Sequence, residues 1–426
     1  MLKPEIMRDY IAILHEELVP ATGCTEPIAI AYCAATLRKL LGCIPERVEA
    51  GLSGNIIKNV KSVVVPNTSG RKGIRPAIAA GIIAGDPDRD LQVIAEISPE
   101  KLEEMDAYLQ QAAIGVSCNN SPCKLDIDLR GECGAHSARV RITNHHTNIV
   151  YMEQDGTVLR DLPIVDASEE HMTDKSCLNV EDIIRFADTV SLDTVEGVLE
   201  RQIAFNSAIA EEGLRNPWGA QIGRILLEDY GQDVKQRAKA YAAAGSDARM
   251  SGCEMPVVIL SGSGNQGITA CMPVVVYARS MGASHEQLLR ALIVADLVTV
   301  HQKSGIGRLS AYCGAISAGV GAGAGICYLQ GGGFSAVAHT VVNAVAILSG
   351  TICDGAKPSC AAKIAAAVDA GIMGYHMYLH DQEFRSGEGI VGGSVDGTIA
   401  NVGRLASQGM QQTDSTILNI MQEEPC

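Results

Sequence analysis

Three cysteines raise the first chemical question. Cys313, Cys353 and Cys360 follow the pattern C-x39-C-x6-C, the first on a Gly/Ala helix and the other two bracketing the loop CDGAKPSC. A two-cysteine loop with a distant third thiol can supply three soft ligands, and soft thiolates select iron–sulfur clusters, zinc or copper(I). Three such ligands on a four-iron cube would leave one iron open. A core cysteine beside an incidental loop pair gives the same spacing, so spacing alone leaves both readings open.

A fourth cysteine, Cys24, sits in ATGCTEPIAI, just before a helix that starts at Thr-Glu-Pro. A helix N-terminus lowers a thiol's pKa and makes it a usable base or nucleophile near neutral pH. A small apolar residue beside a turn is the plainer alternative. The segment SGSGNQG, Ser261 to Gly267, follows an apolar run and opens another helix, so its backbone amides could cradle a carboxylate or a phosphate, with Asn265 and Gln266 as side-chain contacts. It matches neither the dinucleotide nor the P-loop fingerprint. A pyridoxal phosphate cup, with Lys303 or Lys58 as Schiff base, remains an alternative. A second small-residue loop, Ser53, Gly54 and Asn55, with Lys58 nearby, could also receive an amino acid's carboxylate. Cys118, Cys123, Cys133 and His136 mimic a structural zinc site, but CKLDIDLR reads as an ordinary alternating strand and accounts for its own residues.

The elements that must position these groups fall into two textures. Residues 5–19 and 27–41 read as helices, with Pro27 suited to a first turn. From about residue 44 the pieces turn β-like: RVEAGLS, KSVVVP, LQVIAEIS, CKLDIDLR, ARVRITN and NIVYMEQDG, with the helix IRPAIAAGIIAG among them. After about residue 165 strand signals nearly vanish, and helices are expected over 180–188, 194–213, 217–244, 267–282, 284–302, 309–329, 334–349 and 359–374. The fold class expected is α+β: a mainly helical catalytic domain (1–43 with 165–426) interrupted by a smaller α+β domain (44–164).

Composition narrows the function. A net charge of −15 is not the balance of a nucleic-acid binder. With 426 residues the chain can bury a large core without staples, so a metal would serve chemistry. With 44 Gly and one Trp, close backbone packing is expected in place of large aromatic cores. The run from Leu309 to Cys353 carries no charge, yet it is made of small residues, is broken by Gly331, Gly332 and Gly333, and lacks aromatic belts, so it reads as a buried helical core and not a membrane span. The N-terminal stretch has no signal or transit pattern, and the expectation is a cytoplasmic protein whose 14 Cys are reduced.

With these motifs placed, the sequence resembles the L-cysteine desulfidase family along nearly its whole length: GCTEPIAIA, GLSGNIIKNVKSVVVPNT, GSGNQGI, the Cys313 helix, CDGAKPSCAAKI and the closing GEGIVGGSVDGTIANVGRLASQGMQQTDSTILNIM. Its C-terminal half also looks like the alpha portion of bacterial iron–sulfur L-serine dehydratases, although the Cys loop here is shorter and carries Gly355 where those enzymes have Pro. The resemblance implies a [4Fe-4S] enzyme that eliminates sulfide from L-cysteine to leave pyruvate and ammonia. It implies Cys313, Cys353 and Cys360 as cluster ligands and Cys24 as the base that takes the α-proton. The partner expected is a small amino-acid substrate, with no nucleic acid or membrane, and a homodimer is left open. The competing readings are the same chemistry on L-serine or L-threonine, a pyridoxal phosphate lyase, and a non-catalytic iron–sulfur redox or iron sensor.

Overall fold

A computed structural model of the chain describes residues 2–22, 25–119, 121–165, 172–307 and 310–423. The chain is α+β and mainly helical. It opens with helix α1 (Pro4–Glu17), strand β1 (Pro20–Thr22) and helix α2 (Thr25–Leu41). Then come β2 (Arg47–Leu52), α3 (Gly54–Val60), α4 (Ile74–Ala84), α5 (Pro99–Gln111), β3 (Ala113–Cys118), β4 (Asp126–Cys133), β5 (His136–Thr143), β6 (Ile149–Gln154) and β7 (Thr157–Asp161). These strands, β2 to β7, form one sheet in the order β3-β2-β4-β5-β6-β7. β2 runs parallel to β3 and antiparallel to β4, and the rest is a meander. The alternating burial of β2, β4 and β5 turns one sheet face toward α2 and α4.

Helix α2, which the sequence placed with the helical part, packs on this sheet: Ile30, Ala34 and Leu37 share an apolar core with Leu129, Val140 and Ile142. Two stretches expected as strands are not strands. Residues 61–66 form a loop in which Val64 makes one isolated bridge to Lys72, and residues 91–98 begin in the end of a short 3₁₀ turn over Pro87–Gln92 and continue as a loop. Val63, Val65, Val93 and Ile94 are nevertheless buried. Their apolar character reports a packed loop, which a short apolar run does not distinguish from a strand.

The second part holds α6 (Val180–Thr189), α7 (Glu196–Arg215), α8 (Ile222–Asp229), α9 (Val234–Met250), β8 (Pro256–Val258), α10 (Gly264–Met281), α11 (His285–Ile306), α12 (Gly314–Leu329), α13 (Phe334–Leu348), α14 (Cys360–Leu379), α15 (Val395–Arg404) and α16 (Gln411–Glu423). The single helix expected over 217–244 is two, separated near Gly231, whose φ of +94° no ordinary helix accommodates. Strand β8 was not foreseen; it pairs antiparallel with β1, Ala21 opposite Val257.

Helix α12 lies at the centre, and its glycines explain how. A Cβ on Gly319 would stand 2.4 Å from the Ala367 carbonyl oxygen, and one on Gly323 2.5 Å from that of Gly371, both on α14. On the other side a Cβ on Gly321 would stand 2.4 Å from the Ala295 oxygen of α11. The small residues let three backbones approach to contact. Among the described residues no helix is long and apolar enough to cross a membrane.

Candidate active site

One cavity gathers most of the groups singled out above. Cys313, Cys353, Cys360, Asn265, Gln266, Lys58 and Lys303 all line it, together with Glu26, Asn59, Arg249 and Tyr312. Helix starts converge there: Cys313 is the N-cap of α12, Cys360 is the first residue of α14, and Ser263 is the N-cap of α10. Each start presents backbone N–H groups without intrahelical partners and the positive end of a helix dipole, both of which attract negative charge. The close α12–α14 packing brings two of these starts together.

The third thiol is placed by a backbone bridge. Tyr312 pairs antiparallel with Ile352; the Cys313 amide donates to the Thr351 carbonyl at 3.0 Å and the Cys353 amide to the Ala311 carbonyl at 2.6 Å. This pairing also explains why α12 starts at Gly314 and not at the expected 309. The loop from Cys353 to Cys360 is braced from inside, since the Asp354 carboxylate is held by both Lys357 and Lys363, and Lys363 also donates to the Ile352 carbonyl at 2.9 Å. Burial of Asp354 raises its pKa, but the hydrogen bonds from Lys357 and Lys363 together win and hold it below the usual carboxylate range. Gly355 has φ +93°, and a Cβ there would stand 2.0 Å from the Lys58 carbonyl oxygen. Proline, fixed near −65°, does not fit this conformation.

Burial, followed by the neighbouring Cys353, pushes the Cys313 thiol up to about 12, with a nearby backbone amide and Lys363 opposing. Burial also raises Cys360. Among the described residues no three His, Cys, Asp or Glu side chains are close enough to share one metal ion. A four-iron cube puts each thiolate on a different iron, so its ligands stand wider apart than those of a single ion. Three thiols lining one cavity, Cys313 buried and Cys353 and Cys360 half-buried, with two of them at helix starts, fit such a group. Two buried oxygens on the same cavity, Gln266 Oε1 and Tyr312 Oη, have no partner among the described residues.

Other expected residues go elsewhere. Ser53 Oγ donates to the Lys124 carbonyl at 2.7 Å, Gly54 abuts Leu418 of α16, and Asn55 has a buried Oδ1 without a partner among the described residues; none of the three lines the cavity. The helix they open, α3, instead sends Lys58 and Asn59 to it. Lys58 Nζ is 2.5 Å from Asp414 Oδ1, a commitment that leaves its amine a poor Schiff-base nucleophile. Cys24 lies outside the described residues; Glu26, in the first turn of α2, accepts a hydrogen bond from Asn59 at 3.2 Å and lines the cavity. Cys118, Cys123, Cys133 and His136 do not converge: Cys118 is exposed on β3, Cys123 is buried in a loop, and Cys133 faces His136 across the β4–β5 turn. Sequence reading missed Arg249, Glu26, Asn59 and Tyr312. Glu26 and Asn59 lay inside quoted motifs and Tyr312 directly precedes Cys313, but nothing in the spacing tied Arg249 to the thiols.

Fold and cavity thus define a mainly helical protein with a small, buried, thiol-lined pocket at converging helix starts. A model of the serine dehydratase alpha chain matches residues 88–419, and the chain belongs to that family. Membership implies a dehydratase-type lyase and an iron–sulfur cluster. Over nearly its whole length the chain is also similar to UPF0597 proteins. It is 55% identical over 412 residues to one of Desulfitobacterium hafniense (strain Y51), covering 97% of this chain and 96% of the relative. It is 48% identical over 411 residues to one of Lachnoclostridium phytofermentans, covering 96% and 98%. With one of Treponema denticola the identity is 44% over 418 residues, 97% of each chain.

Proposed function

We propose that the protein is a [4Fe-4S]-dependent lyase that eliminates sulfide from L-cysteine. The observation that carries this reading is the meeting of Cys313, Cys353 and Cys360 with the start of α10 on one cavity. The three thiols would hold the cluster. When bound, it supplies a Lewis acid at an iron that no protein thiol occupies. The chain's own residues do the rest. The α10 amides and Asn265 receive the substrate carboxylate, and Gln266 Oε1 is an acceptor for its ammonium group. Cys24 takes the α-proton. As that C–H bond breaks, its electron pair forms the Cα–Cβ double bond and the Cβ–S bond breaks with sulfide leaving. Aminoacrylate becomes the imine by proton transfer, and water hydrolyses this to pyruvate and ammonia.

L-Serine is the second reading, favoured by the family's description, since a β-hydroxyl and a β-thiol differ by one atom. The test is anaerobic reconstitution, with iron and acid-labile sulfide measured beside the products from each amino acid. Pyruvate with equimolar sulfide from L-cysteine, faster than pyruvate from L-serine, is the result expected. Pyruvate from L-serine alone would replace this reading with a dehydratase. Elimination by iron-free protein carrying a borohydride-trapped lysine would replace it with pyridoxal chemistry, and a bound cluster without turnover of either amino acid would leave a sensor.

A further inference from the structure

We propose that Arg249 reads the α-carboxylate of the substrate, and so restricts the enzyme to free α-amino acids. The proposal deepens the lyase reading above and rests on it. Arg249 sits in the last turn of α9, is only 7% exposed, and lines the cavity that the three thiols line. Its Nη1 is 3.4 Å from Asn265 Oδ1 in the first turn of α10. The guanidinium reaches this place because residue 264 is glycine: a Cβ there would stand 2.4 Å from Nε. The start of α10 therefore does two things, offering its amides and leaving a slot for a cation beside them.

The chemistry of the slot selects its ligand. A guanidinium stays charged at all working pH values and presents a planar fork of N–H donors that matches the two oxygens of a carboxylate. Gln266, 5% exposed and on the same cavity, carries an oxygen with no partner among the described residues. That oxygen accepts hydrogen bonds and cannot donate them, so it suits an ammonium group and not a carboxylate. Arg249 and Gln266 Oε1, both on the cavity, suit the two charges of a zwitterion. Lys58, another cation of the cavity, is ion-paired with Asp414. A thiol without an α-carboxylate would lose the Arg249 contact while keeping its sulfur.

The test uses L-alanine, which has the zwitterion but no β-leaving group, and L-alaninamide, which lacks the carboxylate charge. Binding of each to reconstituted wild type, Arg249→Lys and Arg249→Gln is measured by calorimetry, with iron content and thermal unfolding recorded for every variant. Wild type should bind L-alanine at least 10-fold more tightly than L-alaninamide. Arg249→Gln should lose about 10- to 100-fold for L-alanine, the worth of a charge-assisted hydrogen bond, and little for the amide. Arg249→Lys should recover part of the loss. Equal binding of the two ligands by wild type, or equal losses for both in a folded, iron-loaded Arg249→Gln, would overturn the proposal. The two readings fail separately. Arg249-dependent L-alanine binding without sulfide release from L-cysteine would sink the lyase reading alone, whereas sulfide release with Arg249-independent binding would sink this one alone.

Discussion

Cys313 and Cys353, far apart in the chain, flank a single antiparallel bridge, each donating its backbone N–H to a carbonyl next to the bridge residue on the other segment. The position of one thiol therefore depends on the backbone of the other. Cys360 joins them through the braced loop and the start of α14.

Replacing Cys313, Cys353 or Cys360 by Ala should each abolish cluster retention. Cys327, buried on the same α12 helix as the Cys313 cap but away from the cavity, is the control: Cys327→Ala should keep full iron. Iron and acid-labile sulfide per chain after anaerobic reconstitution decide this, and a full complement in all three variants would remove the ligand assignment.

A base and a ligand fail differently. Cys24→Ala and Cys24→Ser should keep near-normal iron and still bind L-cysteine, yet lose about two to four orders of magnitude in rate. They should also lose exchange of the substrate α-hydrogen with solvent deuterium. Exchange at the wild-type rate would take Cys24 out of the mechanism, and loss of iron would make it a ligand.

Close packing of α12 on α14 positions two of the thiols, so filling the contact should damage the site from a distance. Gly319→Ala is expected to destabilise the protein by about 1–3 kcal/mol, the usual cost of overpacking, and to lower iron retention. Gly333, whose added Cβ meets nothing within 4 Å, supplies the control Gly333→Ala. Thermal unfolding and iron content of the two variants make the comparison, and equal behaviour would count against this packing account.

Asp296 on α11 is fully buried, accepts from Gln202 Nε2 at 2.9 Å, and has its pKa raised by burial to about 7. Its folded pKa lies above its unfolded value, so the folded state holds the proton more tightly. The stabilisation is complete below the unfolded carboxylate pKa near 4 and is lost as pH rises through about 7. Asp296→Asn should therefore melt above wild type at pH 8 and close to it at pH 5. A difference independent of pH would show that Asp296 does not titrate in this range.

Lys58, 2% exposed, pairs with Asp414 of α16 and ties that helix to α3. Asp414→Asn leaves a buried ammonium without its counter-charge and should cost about 1–3 kcal/mol. Lys58→Met removes the charge itself and should cost less. Chemical unfolding of both reports the order, and the reverse order would mean that the pair does not hold the helix.

Much of this was legible in the sequence, for physical reasons that differ by element. Helical periodicity located α1, α2 and most helices from α9 to α14, because burial of one face repeats every turn wherever a helix packs. The three thiols could be singled out because residue type alone marks a soft ligand, and they do line one cavity. The α8–α9 break, the three-residue ribbon of β1 with β8, and the exposed edge strand β7 left no usable pattern: a few residues, or a strand with no buried face, carry no period. The site was legible only in part. Ser53, Gly54 and Asn55 had the right residue types but were drawn into contacts with Lys124 and α16, while Arg249 entered the cavity because a glycine on another helix left room for it. Residue type is a local property that the chain carries before it folds. Which of those residues share a cavity is decided by backbones packed to contact through glycine, and only the tertiary structure sets that distance.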